Sequence, residues 1–200
     1  MQFMPATAPA PSVAASASTT AVLPGARTYA REGFDAPALA RVTGWVGGMR
    51  DMFVRAGLVG AAGLAPIKVD FAPNSPVAEM HPEQGVLLLG TYTLRNLPST
   101  LSADLVRHEY AHYVLNKTVL PHRLATPDAL AMHESLADTF ASVLDDDWTL
   151  GEEFFTDGRV TRSMSNPADG IAPAAWGARK LPQTRGELQP GDEAHAKTGI

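Results

Sequence analysis

Two histidines four residues apart, with a glutamate directly after the first, constrain this chain more than any other feature: Arg107-His108-Glu109-Tyr110-Ala111-His112. On a helix, residues i and i+4 share a face, so His108 and His112 can turn their imidazoles onto one metal ion while Glu109 projects beside them. This is the HExxH pattern, in which the carboxylate is placed to hold a metal-activated water and take its proton. The chain has no cysteine, which excludes a disulfide framework and a thiolate metal site; any metal must be held by His, Asp or Glu.

The segment around the motif reads as a helix through the interior. Pro98-Ser99-Thr100 supplies a stop and a cap, and Leu101, Leu105, His108, His112 and Leu115 fall on one face. Ala103, Val106, Tyr110 and Val114 fill the rest, leaving a helix apolar nearly all round. Asn116 to Ala125 is a connection, after which Thr126-Pro127-Asp128 opens a second helix with a capping threonine and a proline in its first turn. Glu134 lies on that helix with Leu130, Ala137, Asp138, Ala141 and Leu144 on its side. In a helical hairpin of this size Glu134 can reach the metal as a third ligand, and Asp138, one turn on, can orient a ligand histidine.

The upstream chain predicts an α/β arrangement. Asp35-Ala36-Pro37 starts a helix whose Leu39, Val42, Val46, Met49, Phe53 and Leu58 recur every three or four residues, ending near Gly57. Ile67 to Phe71 alternates as a half-buried strand and Gly85 to Gly90 reads as a more buried one, joined by a proline-bearing loop containing His81. Residues 1–27 are low in charge and in large apolar groups and are expected to be a disordered leader or linker. Residues 28–118 form the amino-terminal lobe with the metal-binding helix, and 119–200 hold the second helix, an acidic turn and an incomplete carboxy-terminal lobe. With 45% hydrophobic residues the chain can build a real core. Its net charge of −5, without basic runs, gives no support to a nucleic-acid or anionic-membrane partner, and no apolar run is long enough to span a bilayer. The first basic residue is Arg27, so no secretory signal peptide is visible.

His108-Glu109-Tyr110-Ala111-His112 followed by Glu134-Ser135-Leu136-Ala137-Asp138 resembles the HExxH and ExxxD pair of the gluzincins. Asp147-Trp148-Thr149-Leu150-Gly151-Glu152 and Arg162-Ser163-Met164-Ser165-Asn166-Pro167 are similar to the thermolysin-like neutral metallopeptidases in particular. The resemblance implies an α+β, zincin-like fold: a lobe with a twisted sheet and the active-site helix, then a helical and loop segment in which the usual carboxy-terminal helical lobe is largely missing. It also implies a zinc-dependent endopeptidase, with His108, His112 and Glu134 on zinc, Glu109 as general base and Asp138 hydrogen-bonded to a ligand histidine. Arg162 matches the arginine that holds the substrate carbonyl, and His195 the histidine that stabilises the oxyanion. Asp104, Asp145, Asp147 and Glu152 match positions where the family gathers carboxylates around calcium, and Leu105, Leu150 and Phe154 match a pocket for an apolar side chain.

Some features depart from the family. No tyrosine stands in Pro121-His122-Arg123-Leu124-Ala125, where the family has one that assists the oxyanion, and the substrate-strand motif is not recognisable around Met80 to Gln84. The chain stops where the helical lobe would begin, which the resemblance reads as a fragment, a minimal variant or a chain whose cleft a partner chain completes. The resemblance implies a peptide or protein substrate and secretion, with a cytoplasmic or delivered effector as the other reading. A zinc-binding peptide-recognition module of the same fold, catalytically weak or inactive, is the alternative function.

Overall fold

A computed structural model of the chain describes residues 22–24, 32–60, 64–92, 96–119 and 126–166. Strand β1 (Val22–Pro24) precedes helix α1 (Ala36–Arg55), strands β2 (Ile67–Ala72), β3 (Ala78–His81), β4 (Val86–Tyr92) and β5 (Leu97–Pro98), helices α2 (Ala103–Thr118) and α3 (Pro127–Asp145), and the short pair β6 (Thr149–Leu150) and β7 (Arg162–Ser163). The fold is α+β, with helices beside one small mixed sheet, as the resemblance implies.

The sheet runs β1-β2-β4-β3, with β5 added to the far end of β4. The pairs β1/β2 and β2/β4 are parallel, whereas β3 and β5 run antiparallel to β4. Two expectations need correcting here. Val22–Pro24, inside the segment read as a leader, forms β1 and pairs in register with Ile67 to Val69; the rest of 1–27 lies outside the described residues. The loop containing His81 holds a strand: Ala78–His81 pairs with Val86–Leu89. A four-residue strand with polar Glu79 and His81 carries almost no periodic signal, and its pairing with β4 supplies what its own sequence lacks.

Helix α1 begins as its sequence dictates: Asp35 accepts a hydrogen bond from the Ala38 amide at 3.0 Å, and Pro37 sits in the first turn, where its missing N–H costs nothing. Its Val42, Val46, Met49 and Phe53 pack with Ile67, Val69 and Phe71 of β2, Leu87 and Leu89 of β4, and Val106, Tyr110 and Val114 of α2 in one buried core. Phe34 meets Phe71 edge-on at 5.7 Å, and Phe53 meets Phe140 of α3 at 4.8 Å. The core thus fills the space between the sheet and the three helices, and α2 lies in its middle.

Helix α2 is buried at every residue from His108 to Asn116, which fits a sequence with no polar stripe. Its cap lies two to three residues beyond the expected Ser99-Thr100. Ser99–Leu101 forms a 3₁₀ turn, and Ser102 caps the helix by accepting from the Leu105 amide at 3.2 Å. Glu153 accepts from the Ala103 amide at 3.0 Å, satisfying a second orphan donor of the first turn. Helix α3 starts as expected, with Thr126 accepting from the Ala129 amide at 3.2 Å and Pro127 next.

Candidate metal centre

Helix α2 brings His108 and His112 onto one face, and α3 lies alongside so that Glu134 faces them. The Nε2 atoms of the two histidines are 3.0 Å apart, and Glu134 Oε2 is 3.2 Å from the first and 3.4 Å from the second. An ion about 2.0–2.1 Å from each of three tetrahedral ligands holds those ligands about 3.3–3.4 Å apart. Three neutral or anionic donors this close repel one another unless a cation or a shared proton sits between them, so the triangle fits a zinc ion in both spacing and donor type.

The opposite nitrogens are also engaged. His108 Nδ1 lies 2.7 Å from Asp138 Oδ1, and Arg162 donates to the same oxygen at 2.6 Å. His112 Nδ1 lies 2.6 Å from Nδ1 of His133, with the ring centroids 4.7 Å apart and the planes 22° from parallel. In the metal-free chain burial pushes His108 down, but Asp138 and Glu134 outweigh it and raise the imidazole to about 10. Burial likewise opposes a charged Asp138, yet Arg162 and His108 hold its carboxyl below the usual range.

Glu109 is buried beside this triangle but outside it, because its Oε2 accepts from the Met80 amide of β3 at 2.9 Å. Burial raises its carboxyl above the ordinary range, partly offset by His108 and His112. The strand missed in the sequence therefore fixes this carboxylate. Among the described residues β3 has only β4 beside it, so its outer edge is the one that meets α2.

Other expected site residues are placed differently. Arg162, on β7, is seven-eighths buried and its guanidinium is held by Asp138. His195 and the Pro121 to Ala125 stretch lie outside the described residues. Of the acids expected around a second ion, Asp104 and Glu152 do converge, but the third carboxylate within 4.8 Å is Glu153. Asp145 instead pairs with Arg107, and Asp147 accepts from the amide and hydroxyl of Thr149. Buried Asp104 receives the Gly151 amide at 3.2 Å, and burial followed by Glu153 and Glu152 pushes its carboxyl up to about 8. Leu150 and Phe154 are buried, Phe154 stacking on Tyr92 at 3.9 Å, and Leu105 is half-buried. His133 is the residue that sequence reasoning missed. Nothing in its local sequence marks it; its burial, at 1% exposure, emerges only in the tertiary structure.

No protein-family model matches the chain. Bacillolysin of Brevibacillus brevis is 36% identical over 76 residues, covering 36% of this chain and 14% of that protein. The precursor of protealysin, a metalloproteinase from Serratia proteamaculans, superimposes with a TM-score of 0.67 at 21% identity, covering 87% of this chain and 60% of that one. The chain thus matches less than two thirds of the length of either. Among the described residues no helix is long and apolar enough to cross a membrane. In sequence over part of its length and in fold over most of it, this chain resembles the thermolysin-like zinc metallopeptidases.

Proposed function

We propose that the chain is a zinc-dependent endopeptidase. The observation that carries this reading is the triangle of His108 Nε2, His112 Nε2 and Glu134 Oε2, with sides of 3.0, 3.2 and 3.4 Å, beside a fourth group, Glu109, that is held out of it. Three protein donors and a neighbouring carboxylate leave a position open for water and substrate, whereas a structural zinc site closes that position with a fourth ligand. Zinc bound there supplies a water of lowered pKa and polarises the scissile carbonyl.

The chain's own groups then do the proton work. Glu109, raised by burial and fixed by the Met80 amide, accepts the proton of the attacking water and passes it to the leaving amine. An extended peptide laid along the outer edge of β3, which among the described residues pairs with no other strand, would run next to Glu109, to which the outward amide of Met80 is bonded. Arg162, oriented by Asp138, and His195 are the donors proposed for the carbonyl oxygen as it gains charge. Calcium is proposed at Asp104, Glu152 and Glu153, on the oxygen-only donors and the crowding of buried Asp104. Action outside the cytoplasm is proposed on the resemblance alone.

The test is zinc content together with cleavage of an unstructured protein, with and without calcium, for the wild type and Glu109→Gln. The wild type should bind one zinc and cleave; Glu109→Gln should bind zinc equally and lose roughly 10²–10⁴-fold in kcat/KM. Two zinc-loaded proteins that both fail to cleave turn the reading to a zinc-binding peptide-recognition module. A folded wild type that binds no zinc removes the metal centre itself.

A further inference from the structure

We propose that His133 is a positioning residue of the zinc centre: its Nδ1 accepts the Nδ1–H of His112 and thereby presents the Nε2 lone pair of His112 to the metal. This rests on the zinc reading above. His133 is 1% exposed, its Nδ1 is 2.6 Å from His112 Nδ1, and the ring planes differ by 22°. Two ring nitrogens that close need one donor and one acceptor, because two N–H groups collide and two lone pairs repel. The other nitrogen of His112 faces His108 and Glu134 at 3.0 and 3.4 Å, where a metal needs a lone pair, so the proton of His112 sits on Nδ1. His133 therefore carries its own proton on Nε2.

The two histidines facing the metal are thus backed by different chemistry. His108 leans on the Asp138 carboxylate at 2.7 Å, whose charge Arg162 offsets at 2.6 Å; His112 leans on a neutral ring. Three carboxylates, Glu109, Glu134 and Asp138, already surround the pocket. A neutral acceptor fixes the second ring without adding a fourth negative charge that would need its own counterion. Because His133 directly precedes Glu134, one turn of α3 delivers both a proposed ligand and the support for a ligand on α2, which locks the register of the two helices at the metal.

The experiment compares the wild type with His133→Asn, whose side-chain oxygen can accept, and His133→Phe, which keeps a flat buried ring without an acceptor. Zinc affinity is measured by chelator competition, the cobalt-substituted proteins are compared by visible spectrum, and the imidazole tautomers of the zinc-loaded wild type are assigned by long-range proton–nitrogen correlation. His133→Phe should bind zinc roughly 10–100-fold more weakly and alter the cobalt spectrum, His133→Asn should restore most of the affinity, and the wild type should show His133 protonated on Nε2. Unchanged affinity in His133→Phe, an Asn variant as weak as Phe, or a His133 protonated on Nδ1 overturns the proposal. If His133→Phe does not fold, the Asn variant and the wild-type tautomer decide. A wild type that folds without binding zinc removes the metal centre and this role with it, an outcome distinct from a zinc-loaded wild type whose variants are unaffected.

Discussion

Glu109 and Glu134 sit on neighbouring helices and face the same two imidazoles, yet their surroundings suit them to different work. The Oε2 of Glu134 completes the donor triangle, while the Oε2 of Glu109 is tied to the Met80 amide. Glu134→Gln is expected to weaken zinc binding beyond the roughly 100-fold that loss of a supporting residue can cost, with Glu109→Gln close to wild type in a chelator competition. Asp104 gives a pH prediction. Its folded value of about 8 stands above the roughly 3.9 of an unfolded aspartate, so its contribution to stability is complete below about pH 4 and is lost as pH rises through 8. Asp104→Asn, which can still accept from the Gly151 amide, should therefore match the metal-free wild type in thermal midpoint near pH 4 and exceed it at pH 8. Calcium should close that gap by stabilising only the wild type; a gap indifferent to calcium removes the second ion and leaves the acidic cluster a destabilising one. At this scale the packing of α2 against α3 brings Glu134 and Asp138 to His108, whereas the shared face of His108 and His112 was legible, because helical spacing puts residues four apart on one side. His133 was not, since nothing local distinguishes a histidine buried behind a ligand from one in solvent.

Elements whose signals are local were legible in full. Asp35 with Pro37, and Thr126 with Pro127, announce α1 and α3 because a cap and a first-turn proline act within four residues. The entrance to α2 lies two to three residues beyond the expected Ser99-Thr100, since Ser99, Thr100 and Ser102 are chemically equivalent caps and the 3₁₀ turn chooses among them. Ser102→Ala should lower unfolding free energy by about 1 kcal/mol in denaturant titration, with Ser99→Ala acting through its separate bond to the Gly90 carbonyl at 2.7 Å. Gly90 tests the packing of the β2–β3 connection over β4. Its amide donates to Val77 at 2.7 Å, and a Cβ there would collide with the backbone oxygens of Ser75, Ala72 and Val77. Backbone cannot swing aside as a side chain can, so Gly90→Ala should cost about 3 kcal/mol or more and loosen β3, and with it the amide that holds Glu109.

Across the molecule, the proposed zinc ion would link α2 to α3, two helices otherwise joined by packing and by side-chain contacts such as His108 with Asp138. Binding only the folded chain, free zinc at 100 times its dissociation constant should add about 2.7 kcal/mol to unfolding free energy, and His112→Ala should abolish that increment. A zinc-independent unfolding midpoint in the wild type would contradict the link. The sequence by itself determined that His108 and His112 share one helix face, that a second helix carrying Glu134 follows, the capped starts of α1 and α3, the alternating strand β2 and the apolar strand β4, because periodicity and capping act over at most one or two turns. Tertiary structure alone decided that Met80 fixes Glu109, that Arg162 rests on Asp138, that Asp145 pairs with Arg107, and that His133 backs His112. Those partners are 21 to 38 residues apart in the chain, a separation over which no local pattern constrains which polar groups meet; the packing of the helices and the sheet around a common core does.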